Sequence, residues 1–468
     1  MNKKLIYMSL LSATMLLGSC KDEFLEKEPY ASVPIGSAIT TEAELQAAMN
    51  GVYASMRTYE TWGRNIPLLG DLLADNTYIS ADNAGRYLNQ NAFSLTASST
   101  EPTEMWTNLY ETILRANTVI NAELPDADAE VVNQVKGEAY AVRGLAYHEL
   151  VKFFAKPYTA DPTAPGVPIV TEFDQDAEPA RSTVAEVYNQ IMSDYTKAYE
   201  MMGADAQDAS YMSKYAARAL QARAYLFMGD YEKAKEAALD VINNGGYKLV
   251  AAADYVDYWH NPVPVSNKVE TIFEISLDAI DNNFSNALAN MYDQEGYGDI
   301  VATPELVNLY GEGDVRRDVI IEGEKANEHV YIVNKYTNRA NPADKDDIKV
   351  VRYSEVLLTL AEAYARTGQD AEALAVLNEL MAARGVDAYT SSGDQLIQDI
   401  ITERRKELAF EGHRYWTLMR LGLPIERTVH HPASARLIPA GDPRLIQPIP
   451  QAEIDANPNV TQNEGYGG

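Results

Sequence analysis

The 468-residue chain contains one cysteine, Cys20, so no disulfide can form within it. Cations are also scarce, with 39 Lys and Arg against 68 Asp and Glu and a net charge of −29. A surface of that sign repels phosphate, which argues against nucleic acid or anionic lipid headgroups as partners. Beyond the first twenty residues no apolar run approaches the roughly 20 residues that a spanning helix needs. Phe and Trp number 9 and 4 beside 30 Tyr. Tyrosine suits half-exposed helix packing and equally suits stacking on sugar rings, and composition does not choose between them. Catalytic signatures are missing as well: the chain has no G-x-S-x-G, no G-x-x-x-x-G-K-[ST] and no H-E-x-x-H. His148-Glu149 begins the last of these, but Lys152 stands where the second His is needed. His430-His431 is the only close His pair and has no evident third ligand. No enzyme activity, metal or cofactor is therefore expected. Glu403, Arg404, Arg405, Glu407 and Glu411 fall at i, i+4 spacings on one helix and read as a structural ion-pair face.

What the chain does have begins at residue 1. Lys3 and Lys4 precede a mostly apolar stretch, Leu5 to Leu17, followed by Gly18 and Ser19. That is the plan of a secretory signal peptide over residues 1–19. Leu17-Gly18-Ser19-Cys20 resembles the bacterial lipobox, in which the cysteine is lipidated and becomes the new N-terminus. Cys20 is therefore the expected lipidation site, holding the protein on a membrane through acyl chains. Lys21-Asp22-Glu23 resembles the acidic surface-export signal of lipoproteins in the Bacteroidota. Residues 20–40, with Pro29, Pro34 and Gly36, read as a tether.

Helical patterning predicts helices at about 41–58, where a Thr cap precedes an apolar stripe, and at 104–122, 130–155 and 183–202. Two later stretches share a spacing: Ala222, Tyr225, Gly229 and Ala234, then Ala361, Tyr364, Gly368 and Ala373. Small residues at helix contacts, a Tyr filling the groove and a Gly in the turn resemble the tetratricopeptide helix-turn-helix unit. A last helix is expected over 394–411. The fold class is thus mainly α, with tetratricopeptide-like pairs at about 41–58, 104–245 and 350–412. A loop-rich lobe is expected at about 59–103 and 246–349, with short strands at 270–277 and 329–336. Residues 413–468 form a tail.

Five stretches carry a wider resemblance. They are GEAYAVRGLAYHELVKFFAKPY from Gly137, with Gly166-Val167-Pro168 after it; ARSTVAEVYNQIMSDYTKA from Ala180; RYSEVLLTLAEAYARTG from Arg352; ERRKELAFEGHRYWTLMRLG from Glu403; and PIPQAEIDANPNVTQNEGY from Pro448. In this order they resemble the SusD-like (RagB/SusD) family of nutrient-binding outer-membrane lipoproteins, with Thr417 where that family usually has Asp. The resemblance implies a helical scaffold with an irregular lobe, covering residues 41–468. It also implies a surface-exposed outer-membrane protein that binds a glycan and delivers it to a SusC-like TonB-dependent barrel.

Those motifs belong to the scaffold, so ligand contacts must be sought among the loops. Exposed flat rings beside amides suit sugars. One loop offers Trp62, Tyr78 and Tyr87 amid Asn76, Asp82 and Asn83. The other offers Tyr292 and Tyr297 near Asn282 and Asn283. Loop packing competes with ligand contact at each position. Trp106 and Trp416 sit at helical positions and read as core; Trp259 reads either way. The same scaffold could capture peptides or another nutrient, or serve as a protein–protein adaptor; a hydrolase has no motif in its favour.

Overall fold

The computed structural model describes residues 39–467. Cys20, the expected signal segment and nearly all of the expected tether lie outside the described residues. The chain starts with helix α1 (Glu42–Met56), whose Thr41 and Glu44 form a reciprocal capping box. Helices α2 (Asn65–Leu72) and α3 (Thr100–Ile120) follow, separated by strand β1 (Thr77–Ile79). Next come α4 (Ala129–Phe154), α5 (Val184–Met201), α6 (Lys214–Met228) and α7 (Tyr231–Asn244), each packed on its predecessor. After an interruption come α8 (Tyr353–Arg366), α9 (Asp370–Arg384), α10 (Gly393–Glu407) and α11 (Arg414–Arg420). Among the described residues no helix is long and apolar enough to cross a membrane.

The two helical pairs with the shared spacing are α6–α7 and α8–α9. Gly229 and Gly368 make their turns at φ +74° and +75°, where a side chain would be strained. Ala234 and Ala363 are buried together with Leu226, so α7 and α8 also pack on each other. The family of scaffold helices is continuous in space although it is interrupted in sequence.

The interruption carries most of the strands. β2 (Thr271–Ile275) pairs antiparallel with β6 (Ile348–Arg352). β3 (Ile300–Ala302), β4 (Ile320–Lys325) and β5 (Glu328–Val333) join β1 in an antiparallel sheet of order β1-β3-β5-β4. The pairing of β1 with β3 draws the two expected halves of the lobe into one body. The periodicity did not reveal α2, because all eight of its residues are buried and it has no polar stripe. Gly70 lets it approach the chain at Gly412, and the Gly412 N–H donates to Asp71 at 2.7 Å.

Lobe and scaffold meet in a buried ionic joint. Glu407 accepts from Arg384 at 2.9 Å and Arg352 at 3.1 Å, and Arg316 pairs with Glu403 at 2.7 Å. Arg352 also reaches Glu411, which takes Lys335 at 2.8 Å. The ion-pair face expected on α10 is thus real but buried, and most of its partners come from other elements rather than from the helix itself. Trp259 is buried too, with Lys335 over its ring at 3.9 Å. Trp106 and Trp416 lie in the core.

Candidate functional site

The lobe is built where two distant loops meet. Ser80 and Ala84 donate backbone N–H groups to Asp299, and Asn283 donates to the Arg57 carbonyl at 2.7 Å. Arg64 donates to Asn286, and Arg57 pairs with Asp281. Both nominated loops therefore belong to one surface.

The structure corrects most of the nominated rings. Trp62, Tyr78, Tyr87 and Tyr292 are buried, so none offers a free face. Tyr78 stacks on His430 with centroids 4.4 Å apart, and Tyr292 stacks on Tyr336 at 5.9 Å. The Tyr87 hydroxyl donates to Asn65 at 2.5 Å. The physical reason differs by residue: the β1–β3 pairing buries Tyr78 against Val301 and Val330, while Trp62, Tyr87 and Tyr292 join the main core, Tyr292 packing edge-on to Phe410. Asn76 is structural as well, bonding to Asp71 and accepting from Arg405.

Tyr297 remains half-exposed, with the Arg86 guanidinium 3.4 Å from its ring centroid. Lys325 donates to the Tyr297 carbonyl at 3.0 Å and fixes its backbone. Asn282 and Asn283 do not present their amides outward. Asn282 donates to the Asp278 carbonyl and accepts from the Phe284 N–H, so it shapes the loop.

What that loop presents is Phe284, which was not singled out in the sequence. The residue is 71% exposed and its backbone sits at φ +46°, a costly conformation for a bulky residue. Asn282 holds its N–H, and Asn290 donates to its carbonyl at 2.7 Å. The carbonyl of Asn290 accepts the N–H of Tyr297 at 2.9 Å. One buried asparagine therefore pins the backbone of both ring-bearing residues. The available signal was a lone Phe in the polar run Asp281-Asn282-Asn283-Phe284-Ser285-Asn286.

Beside Phe284 lies a cleft of about 280 Å³, lined also by Arg339, Lys345 and Asp346. Arg339 pairs with Asp293 at 2.5 Å, and Lys345 donates to the carbonyls of Arg339 and Asn341. Asp346 accepts three N–H bonds from Thr337 and Asn338, while burial pushes its carboxyl up from the ordinary value. The cleft thus sets an exposed ring next to polar groups that are held in place.

Two family models match the chain: one described as starch-binding associating with outer membrane, over residues 23–226, and the SusD family, over residues 318–466. A SusD superfamily protein of Bacteroides thetaiotaomicron is 30% identical, superposes with a TM-score of 0.82, and is covered in full by 91% of this chain. A SusD superfamily protein of Bacteroides vulgatus superposes at 0.85 with 27% identity, over 92% of this chain and all of its own. SusD-like protein P2 of Formosa agariphila is 28% identical over 97% of this chain and 98% of its own length. The chain belongs to the SusD family, whose members are sugar-binding proteins associated with the outer membrane.

Proposed function

We propose that the protein is a surface lipoprotein, anchored through Cys20, that binds a glycan and passes it to a SusC-like TonB-dependent barrel. It binds and does not cleave. The observation that carries this reading is the pair of rings, Phe284 and Tyr297, held on one lobe by Asn290. Sugar C–H faces stack on such rings, and hydroxyls find partners in the adjoining cleft. Strained backbone at Phe284 supports a contact role, since the fold would otherwise gain by relaxing it. Asn282 and Asn283 position this surface from behind. The helical scaffold, residues 41–58, 104–245 and 350–412, acts as the rigid frame.

Native affinity electrophoresis tests the reading. The soluble chain runs through gels containing single polysaccharides, beside Phe284→Ala. Retardation by one polysaccharide, lost in the variant, is the expected result. Free migration in every gel, with binding of peptides instead, would replace the glycan by a peptide on the same scaffold. Co-purification of the lipidated protein with a β-barrel from detergent-solubilised outer membrane tests the delivery step.

A further inference from the structure

A second cleft, of about 540 Å³, opens on the other side of the β2–β6 ribbon. The register sets Glu274 opposite Lys349 and Ile275 opposite Ile348. Ile348 lines the cleft beside Phe284, and Lys349 lines the second one. Successive residues of a strand face opposite ways, so the two clefts lie back to back across one ribbon.

The two clefts differ in how their polar groups are engaged. The amides around Phe284 are committed to holding the loop. In the second cleft Glu274 and Lys349 are 2% and 8% exposed, yet the Glu274 carboxylate accepts no close hydrogen bond among the described residues. Its nearest cation is Lys349 Nζ at 3.6 Å, too long for a hydrogen bond. That gap lets one hydroxyl donate to the carboxylate and accept from the ammonium. Alongside, the Tyr258 and Thr271 hydroxyls hydrogen-bond at 2.8 Å; one donates, which leaves the other's proton to spare. Asn261 donates to the Val263 carbonyl and Asn267 accepts from the Val269 N–H; among the described residues the Asn261 Oδ1 and the Asn267 NH₂ have no partner. A wall of mixed unused donors and acceptors matches a ligand whose every polar group both donates and accepts.

We propose that this cleft is a second glycan site, taking a neutral pyranose unit. Charge supports neutrality: Asp254, Asp257 and Glu274 face Lys248 and Lys349, in a chain of net charge −29 that disfavours an anionic ligand. The ligand class rests on the glycan-binding reading; the position does not. Two sites on one lobe raise the hold on a long polysaccharide without a new contact, because the second engagement becomes intramolecular.

Calorimetric titration of the soluble chain with four neutral hexasaccharides (malto-, cello-, xylo- and laminarihexaose) tests it. Two double variants run beside the wild type: Phe284→Ala/Tyr297→Ala, and Asp257→Ala/Asn261→Ala at the rim of the second cleft. The expected result is two sites per chain for at least one hexasaccharide, falling to one in each double variant. One site, lost in the first variant and untouched in the second, overturns the second site and leaves the Phe284 surface standing. One site, lost only in the second variant, keeps the second cleft and overturns the placement at Phe284. Silence with all four overturns a neutral-pyranose site here, while retardation in the polysaccharide gels would still carry the primary function.

Discussion

Removing the charge of Glu407 is the sharpest test of how lobe and scaffold are joined. Glu407 lies on α10 and is fully buried. Its Oε1 accepts from Arg384 at 2.9 Å and Arg352 at 3.1 Å, and its Oε2 accepts from Arg384 Nε at 3.0 Å. Burial opposes its ionisation, but Arg384 and Arg352 override burial and hold its carboxyl well below the ordinary range. Glu407→Gln keeps the volume and turns an acceptor into an NH₂ that faces guanidinium donors. Breaking one partner of a buried ion pair costs about 3–5 kcal/mol. Glu270 still accepts from both Arg352 and Arg384 at 2.9 Å, so the lower end, about 3 kcal/mol, is expected. Urea unfolding read by intrinsic fluorescence measures it. Trp259 is a local reporter, since Lys335 and Arg352 both stand over its ring. Because the pair is buried, raised salt should leave the loss largely unchanged. A loss under about 1 kcal/mol, or one erased by salt, would refute the joint as described.

Other consequences follow from single sites. Burial raises Glu138 from 4.5 to about 7, against hydrogen bonds from Gln134 and Tyr53. The native state therefore keeps a proton that the unfolded chain releases, and stability falls as pH rises between those values, by roughly 3 kcal/mol in all. Glu138→Gln should flatten that slope and exceed the wild type in stability above about pH 7, as read by thermal melts across pH; an unchanged slope would count against it. At Gly70 an added Cβ would lie 2.0 Å from the Gly412 carbonyl oxygen. Gly70→Ala should cost about 3 kcal/mol, measured by denaturant midpoint, and a neutral effect would show that α2 moves freely.

How much of this was legible in the sequence depended on whether the signal was local. A Thr cap and an apolar stripe announced the start of α1, where Thr41 and Glu44 form a capping box; the matching box of Thr183 and Glu186 at the start of α5 is equally local. The Ala-Tyr-Gly-Ala spacing announced two helical pairs because a left-handed turn and a close contact each demand a small residue. The rings of the lobe were not legible in this way. Whether Tyr78 faces solvent is decided by Val301 and Val330, which lie more than two hundred residues downstream and share its cluster. Likewise the i, i+4 spacing on α10 revealed paired charge but not that Arg316, Arg352 and Arg384 supply it. Phe284 was overlooked because an isolated apolar residue among asparagines resembles loop filler until its backbone strain and exposure are seen.

The central claim is that Phe284 and Tyr297 form the glycan-contacting surface. The most direct measurement is calorimetric titration of wild type, Phe284→Ala and Tyr297→Ala with whichever oligosaccharide comes from the polysaccharide that retards the protein. Each ring should account for about a tenfold loss in affinity, roughly 1.4 kcal/mol, with melting temperature unchanged at Phe284, a residue 71% exposed. Undiminished affinity in both variants would contradict the account.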